Sequence, residues 1–197
     1  MSYALSSPHV ETGTAKMRSY SGDYMELGQA GEKVVVDFLT QQPGVERVED
    51  LRELKHWQQK SVDFRCWMTD GSCRLVEAKS DTYLGNTGNL LFEILRIYHT
   101  SEPDISCVVG WSVHTDAHYI VYYGPSCNLL VVCRARELKR AFQKYTANAR
   151  EDTRVKWIPT DRIKSTLIVL LPEQYWTAVA QCYKIVENGG PTEFQKL

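Results

Sequence analysis

Long apolar runs, an excess of charge of either sign and closely paired cysteines are all scarce in this 197-residue chain. No run is long enough to span a bilayer, and the N-terminal residues lack the pattern of a signal peptide. The reading is a cytoplasmic protein with no membrane partner. With 23 Lys and Arg against 24 Asp and Glu the net charge is −1, so any basic footprint must be local. The six cysteines (Cys66, Cys73, Cys107, Cys127, Cys133 and Cys182) contain no Cys-x-x-Cys pair, and their wide spacing among mostly apolar neighbours reads as buried thiols in a reducing compartment. A zinc site built from Cys66, Cys73 and a distant histidine is left open by spacing. The histidines share no spacing that marks a metal site or a triad. Internal repeats and low-complexity tracts are absent as well.

What is present is ordinary soluble-protein chemistry, 43% hydrophobic and 24% charged, with enough chain for one buried core. Residues 1–21 read as a flexible leader, 22–187 as a single domain and 188–197 as a tail. Helical periodicity runs from Asp23 through Met25, Leu27, Ala30, Val34, Val35, Phe38 and Leu39, and Gln41-Gln42-Pro43-Gly44 ends it. Strand patterns follow at Val45–Leu51, Asn89–Tyr98, Ile105–Trp111, Ala117–Tyr123, Asn128–Val132 and Ser165–Leu171. Ala135–Ala147 is amphipathic. A last helix is expected from Pro172 to about Val186, with Tyr175, Trp176, Val179, Cys182 and Tyr183 on its apolar side. This order of elements gives an α/β fold, at the boundary with α+β, built on a mixed central sheet flanked by helices.

The stretch that carries chemistry is Ser61–Ser80. Ser-Val-Asp-Phe-Arg-Cys-Trp-Met is rich in β-formers, Thr-Asp-Gly-Ser makes a turn, and Cys-Arg-Leu-Val-Glu-Ala-Lys-Ser resumes strand chemistry. Side chains alternate along a strand, so Asp63 shares a face with Arg65 and Glu77 shares one with Lys79. Pairing of the two strands would gather two carboxylates and an amine. Hydrolysis of a phosphodiester needs a nucleophilic water and neutralisation of charge at phosphorus, and a divalent cation held by carboxylates supplies both. Mg²⁺ or Mn²⁺ takes few protein oxygens and keeps several waters; Asp63, Glu77 and the Ala78 backbone carbonyl make such a set. Lys79 would orient or deprotonate the water, or hold the phosphate as a point charge.

Asp63, the β-turn, Glu77-Ala78-Lys79 and an upstream helical Glu32 together resemble the PD-(D/E)XK nuclease superfamily. Gln59 and Lys60 ahead of Asp63 resemble the lead-in of its Holliday-junction-resolvase-like and phage-encoded members. Val62 stands where many members have proline. The resemblance implies a restriction-endonuclease-like core: a helix, a three-stranded meander, a helix and a further strand. It implies that Glu32, Asp63, Glu77 and Lys79 are catalytic, with Asp63 and Glu77 as metal ligands and Glu32 reaching the metal directly or through water. It implies a DNA nuclease, endonucleolytic by preference, that leaves a 5′-phosphate.

Arg134–Lys164, read as a helix and the loop that follows it, carries ten basic residues against four acidic ones, a local net of about +6. Arg136, Lys139, Arg140 and Lys144, with Lys60, are the candidate contacts to double-stranded or branched DNA. Trp57, Tyr83 and Trp157 are candidates to stack on unpaired bases. Two cuts on opposite strands would call for a homodimer. The competing readings are a catalytically inactive nucleic-acid-binding module on the same fold, and a nuclease acting on RNA.

Overall fold

A computed structural model describes residues 21–82, 84–98, 106–147, 155–161, 164–186 and 190–197; the proposed leader, apart from its last residue, lies outside them. In chain order the elements are α1 (Ser21–Thr40), β1 (Val45–Asp50), α2 (Lys55–Gln58), β2 (Phe64–Met68), β3 (Cys73–Ser80) and α3 (Leu84–Thr87). Then come β4 (Leu90–Tyr98), β5 (Ser106–Val109), α4 (Trp111–His114), β6 (Tyr119–Gly124), β7 (Leu129–Arg134) and α5 (Ala135–Ala147). The chain closes with β8 (Val155–Asp161), β9 (Lys164–Leu171), α6 (Glu173–Trp176), β10 (Ala180–Val186) and β11 (Glu193–Lys196).

A seven-stranded mixed sheet in the order β1-β2-β3-β6-β7-β10-β11 forms the centre, as the strand patterns imply. Its single parallel pair is β3 with β6, so the chain must cross over between them. Both glycine turn signals at the start of the sheet act locally. Gly44 takes φ +78° after α1, and Gly71 takes φ +80° in the β2–β3 turn, a backbone region that glycine enters without steric cost. Asp70 Oδ1 accepts from the Ser72 amide at 2.9 Å and the Ser72 hydroxyl at 2.6 Å, which closes that turn.

Each face of this sheet is covered differently. α1 packs Val35, Phe38 and Leu39 on Phe64, Cys66, Val76, Val121 and Leu130. The opposite face presents Ile120, Tyr122, Val131 and Cys133 to α5, through Leu138, and to a second sheet, through Leu90, Phe92, Val169 and Leu171. That second sheet, ordered β5-β4-β9-β8, was not visible in the sequence patterns. Its strands come from two crossovers: β4 and β5 from the β3–β6 connection, β8 and β9 from the β7–β10 connection.

Several expectations are corrected. The last helix is one turn, α6, followed by a 3-10 turn at Thr177–Val179 and strand β10, which pairs with both β7 and β11. The apolar positions fit a helical period, but pairing to the exposed edge of β7 prevails over it. Residues 193–196, read as part of a tail, form the edge strand β11. The basic stretch after α5, read as a loop, includes β8. Trp111 begins α4 instead of ending a strand. The zinc alternative fails on register: Cys66 pairs with Arg74 and Trp67 with Cys73, so the two thiols point to opposite faces of the hairpin.

Where β5 gives way to α4, the chain lies tight against β4 at Gly110. Its amide donates to the Ile94 carbonyl at 2.7 Å, and an added methyl would overlap the Glu93 carbonyl. Gly110→Ala is expected to cost about 2–4 kcal/mol of stability, because the obstructing atoms are β4 backbone, which has little room to relax. Chemical denaturation checks this, and an unchanged midpoint would refute the close packing.

Candidate active site

Strand β3 presents Glu77 and Lys79 on the sheet face opposite α1, because Glu77 pairs with Ile120 and Lys79 with Tyr122 in the parallel ladder. Asp63 sits one residue before β2, where its amide donates to the Val76 carbonyl and its carbonyl accepts from Leu51, both at 2.9 Å. The Asp63 carboxylate turns to β3 and accepts from the Ala78 amide at 2.8 Å through Oδ2. The N–H and C=O of one strand residue point to the same edge, so the Ala78 carbonyl is directed to the edge on which Asp63 lies. The hairpin thus brings together Asp63, Glu77, Lys79 and the Ala78 backbone.

Glu77 is only 3% exposed. Its Oε1 pairs with the Lys79 ammonium, while its buried Oε2 meets no donor among the described residues and the Asp63 carboxylate stands within hydrogen-bonding reach of Glu77. Burial is the largest influence on this carboxyl and pushes its pKa up to about 7; the Asp63 carboxylate adds to the rise and Lys79 opposes it. A buried carboxylate oxygen without a partner is costly, and a cation beside Asp63 would satisfy it. The Lys79 ammonium also stands 4.9 Å above the Trp111 ring, which packs on Phe92 and Tyr122. A cation on a ring face is electrostatically favoured, so the lysine is held from two sides.

Glu32 comes to the site from α1 and is engaged by Arg52. Arg52 also holds Asp50 at 2.6 Å and lies 5.2 Å from the Phe64 ring centre. Burial raises the Glu32 pKa, with Arg52 working against the rise and Asp63 adding to it, which puts Glu32 within electrostatic reach of Asp63. Hydrogen bonding to Arg52 lowers the Asp50 pKa. An open cleft of about 740 Å³ between α1 and β1 is lined by Gln29, Glu32, Lys33, Asp50 and Arg52 among others; Asp63, Glu77 and Lys79 do not line it.

No protein-family model matches the chain, and neither does any curated protein. Among solved structures the chain is similar to a nuclease from a fusselovirus, at 11% identity and a TM-score of 0.35, over 82% of this chain and 89% of that one. A likeness that slight bears on neither fold nor chemistry. The chemistry rests on the geometry.

Among the described residues no three His, Cys, Asp or Glu side chains group as a metal centre; a cation here would have two carboxylates and backbone oxygen to draw on. Hard cations that retain water fit such a set. The basic candidates lie apart from it. Arg136, Arg140 and Lys144 are exposed on α5, whereas Lys139 donates to the Val113 and Thr115 carbonyls at 3.3 and 3.2 Å. Lys60 pairs with Asp116 at 3.2 Å. Glu93, a further acid on a nearby strand, is engaged by Arg96 at 2.6 Å. No described helix is long and apolar enough to cross a membrane.

Sequence reasoning passed over Arg52, Trp111 and Asp81. Asp81 is 7% exposed and continues the Glu77–Lys79 alternation one step beyond β3, so its position was legible. Nothing in the sequence marks Arg52 or Trp111, because only packing brings them here.

The raised Glu77 pKa has a sign that can be tested. The fold favours the protonated acid, so this contribution to stability is complete below the unfolded pKa near 4.5 and is lost as pH rises through about 7. In EDTA the wild type should lose on the order of 1–3 kcal/mol between pH 5 and 8 from this group, and Glu77→Gln should flatten the profile. Thermal unfolding across pH measures it; parallel profiles for the two proteins would refute the burial argument.

Proposed function

We propose that the protein is a metal-dependent DNA nuclease, endonucleolytic, acting on double-stranded or branched DNA with Mg²⁺ or Mn²⁺. The observation that carries this reading is the contact of two carboxylates away from water, the buried Glu77 beside Asp63 with its Oε2 meeting no donor among the described residues, and Lys79 on the same strand face. The order α1, antiparallel β1-β2-β3 and a further strand β6 supports the resemblance to the PD-(D/E)XK superfamily. Between β3 and β6 the helices among the described residues are the single turns α3 and α4, beside strands β4 and β5, where a full helix is implied.

In this reading Asp63, Glu77 and the Ala78 carbonyl hold the cation, with Glu32 as an outer acid. The bound ion supplies Lewis-acid neutralisation of the phosphate and acidifies a water. Lys79, fixed between Glu77 and the Trp111 ring, orients that water or grips the phosphate as a point charge. Attack by water, whose proton passes to solvent, would form a new P–O bond and break the bond to the 3′ oxygen, which takes a proton from solvent, leaving a 5′-phosphate. Asp63 is itself anchored by the Ala78 amide, so the acid pair is set before substrate arrives. Exposed Arg136, Arg140 and Lys144 contact the phosphate backbone from α5, and paired cuts call for a homodimer. A cytoplasmic location belongs to the same reading.

Supercoiled plasmid, single-stranded DNA and RNA incubated with Mg²⁺, Mn²⁺ or EDTA test the reaction. Cleavage of DNA with either ion and none in EDTA is expected. Glu77→Ala and Lys79→Ala should each lower the rate at least about 100-fold while circular dichroism stays unchanged. Full activity in either variant, or cleavage confined to RNA, would overturn the reading. Arg136→Ala with Arg140→Ala should weaken DNA binding and reduce the slope of log K against log salt by about 2. An unchanged slope would remove α5 from the interface.

A further inference from the structure

Of the three aromatics that could meet a base, the structure separates one. Trp57 is half-buried, with the Arg65 guanidinium 4.8 Å and the Lys60 ammonium 5.5 Å from its ring centre. Tyr83 lies outside the described residues. Trp157 is 52% exposed on β8, the outer strand of the second sheet, with its ring open to a ligand.

The register says which way it faces. Val155, Val169 and Phe92 form one row across β8, β9 and β4, and Trp157 lies two residues beyond Val155 with Leu167 and Leu95 in its own row. Residues two apart on a strand share a face, so Trp157 is on the Phe92 face. That face is the one turned to the central sheet. Phe92 stacks on Phe142 of α5 at 4.7 Å and packs on Trp111 at 5.9 Å, and Trp111 carries Lys79. Two strand spacings, about 10 Å, and one two-residue step, about 7 Å, separate Phe92 from Trp157. The Trp157 side chain therefore lies a few nucleotides of chain from the acid pair. The basic helix α5, with Arg136, Arg140 and Lys144 exposed, packs on the same face of the second sheet.

We propose that Trp157 is a stacking platform for an unpaired nucleobase of the strand that enters the site, DNA or RNA alike. The inference rests on the nuclease reading for the path of the strand. An aromatic plane takes any base, and neighbouring positive charge holds the backbone, so such a platform binds single strands without reading their sequence. It also assigns the second sheet a role: it extends the binding surface beyond the catalytic hairpin and favours substrates with an unpaired segment.

Fluorescence anisotropy with labelled oligothymidylate, oligouridylate and a blunt DNA duplex, with Ca²⁺ in place of Mg²⁺, tests it. Trp157→Ala should weaken binding of a single strand about tenfold and change duplex affinity by less than about twofold, while Trp157→Phe retains most of the single-strand affinity. A loss on the thymidylate or on the uridylate supports the proposal and names the strand. Unchanged single-strand affinity, equal losses on single strand and duplex, or an effect confined to sedimentation, as for a protein partner or a second copy, would overturn it. The two readings separate cleanly. A wild type that cleaves nothing yet loses single-strand binding in Trp157→Ala sinks the nuclease and keeps the platform; intact cleavage with unchanged Trp157→Ala binding does the reverse.

Discussion

Everything at the candidate site depends on keeping a carboxylate out of water on the covered face of a sheet. Glu77 loses its hydration there, one oxygen is compensated by Lys79 and the other meets no donor among the described residues, with a second carboxylate beside it. Such an arrangement is unfavourable for folding alone, because like charges and burial both oppose ionisation. Sites that run chemistry tolerate that cost because the same charge density concentrates a cation and a phosphate where they react.

The surroundings hold this strained pair in place. The Ala78 amide fixes Asp63, and the parallel ladder to β6 fixes the face on which Glu77 and Lys79 stand. Crossing between two parallel strands requires a long connection, and here that connection is spent on β4, β5 and α4. Trp111 begins α4 and meets Lys79, Phe92 and Tyr122, so the crossover that topology demands also walls the site. Tyr122 ties the layers together by donating to the Leu91 carbonyl at 2.9 Å. α1 works from the opposite side, bringing Glu32 and, through it, Arg52 to the rim of the cleft.

Local signals were legible where neighbours in sequence do the deciding. The α1 stripe ending at Gly44, the Asp70-Gly71 turn, the β2–β3 hairpin and the amphipathic α5 all rest on contacts within a few residues or on one apolar face. Residues 172–186 were misread because Trp176, Val179 and Tyr183 satisfy a helical period, while the partner that makes Ala180–Val186 a strand is β7, about fifty residues upstream. Val155–Asp161 looked like a basic loop for the same reason: β9 supplies its hydrogen bonds.

By itself the sequence determined the α/β class, the hairpin, and the alternation that puts Glu77 with Lys79 and Asp63 within a turn's reach, because strand geometry has a period of two wherever it forms. Only the tertiary structure decided that Asp63 and Glu77 face one another, that Glu32 is held by Arg52, and that Trp157 stands on the site's side of a second sheet. Those outcomes turn on which distant strands pair and which faces they bury. A chain's local pattern leaves that choice to the packing of the whole.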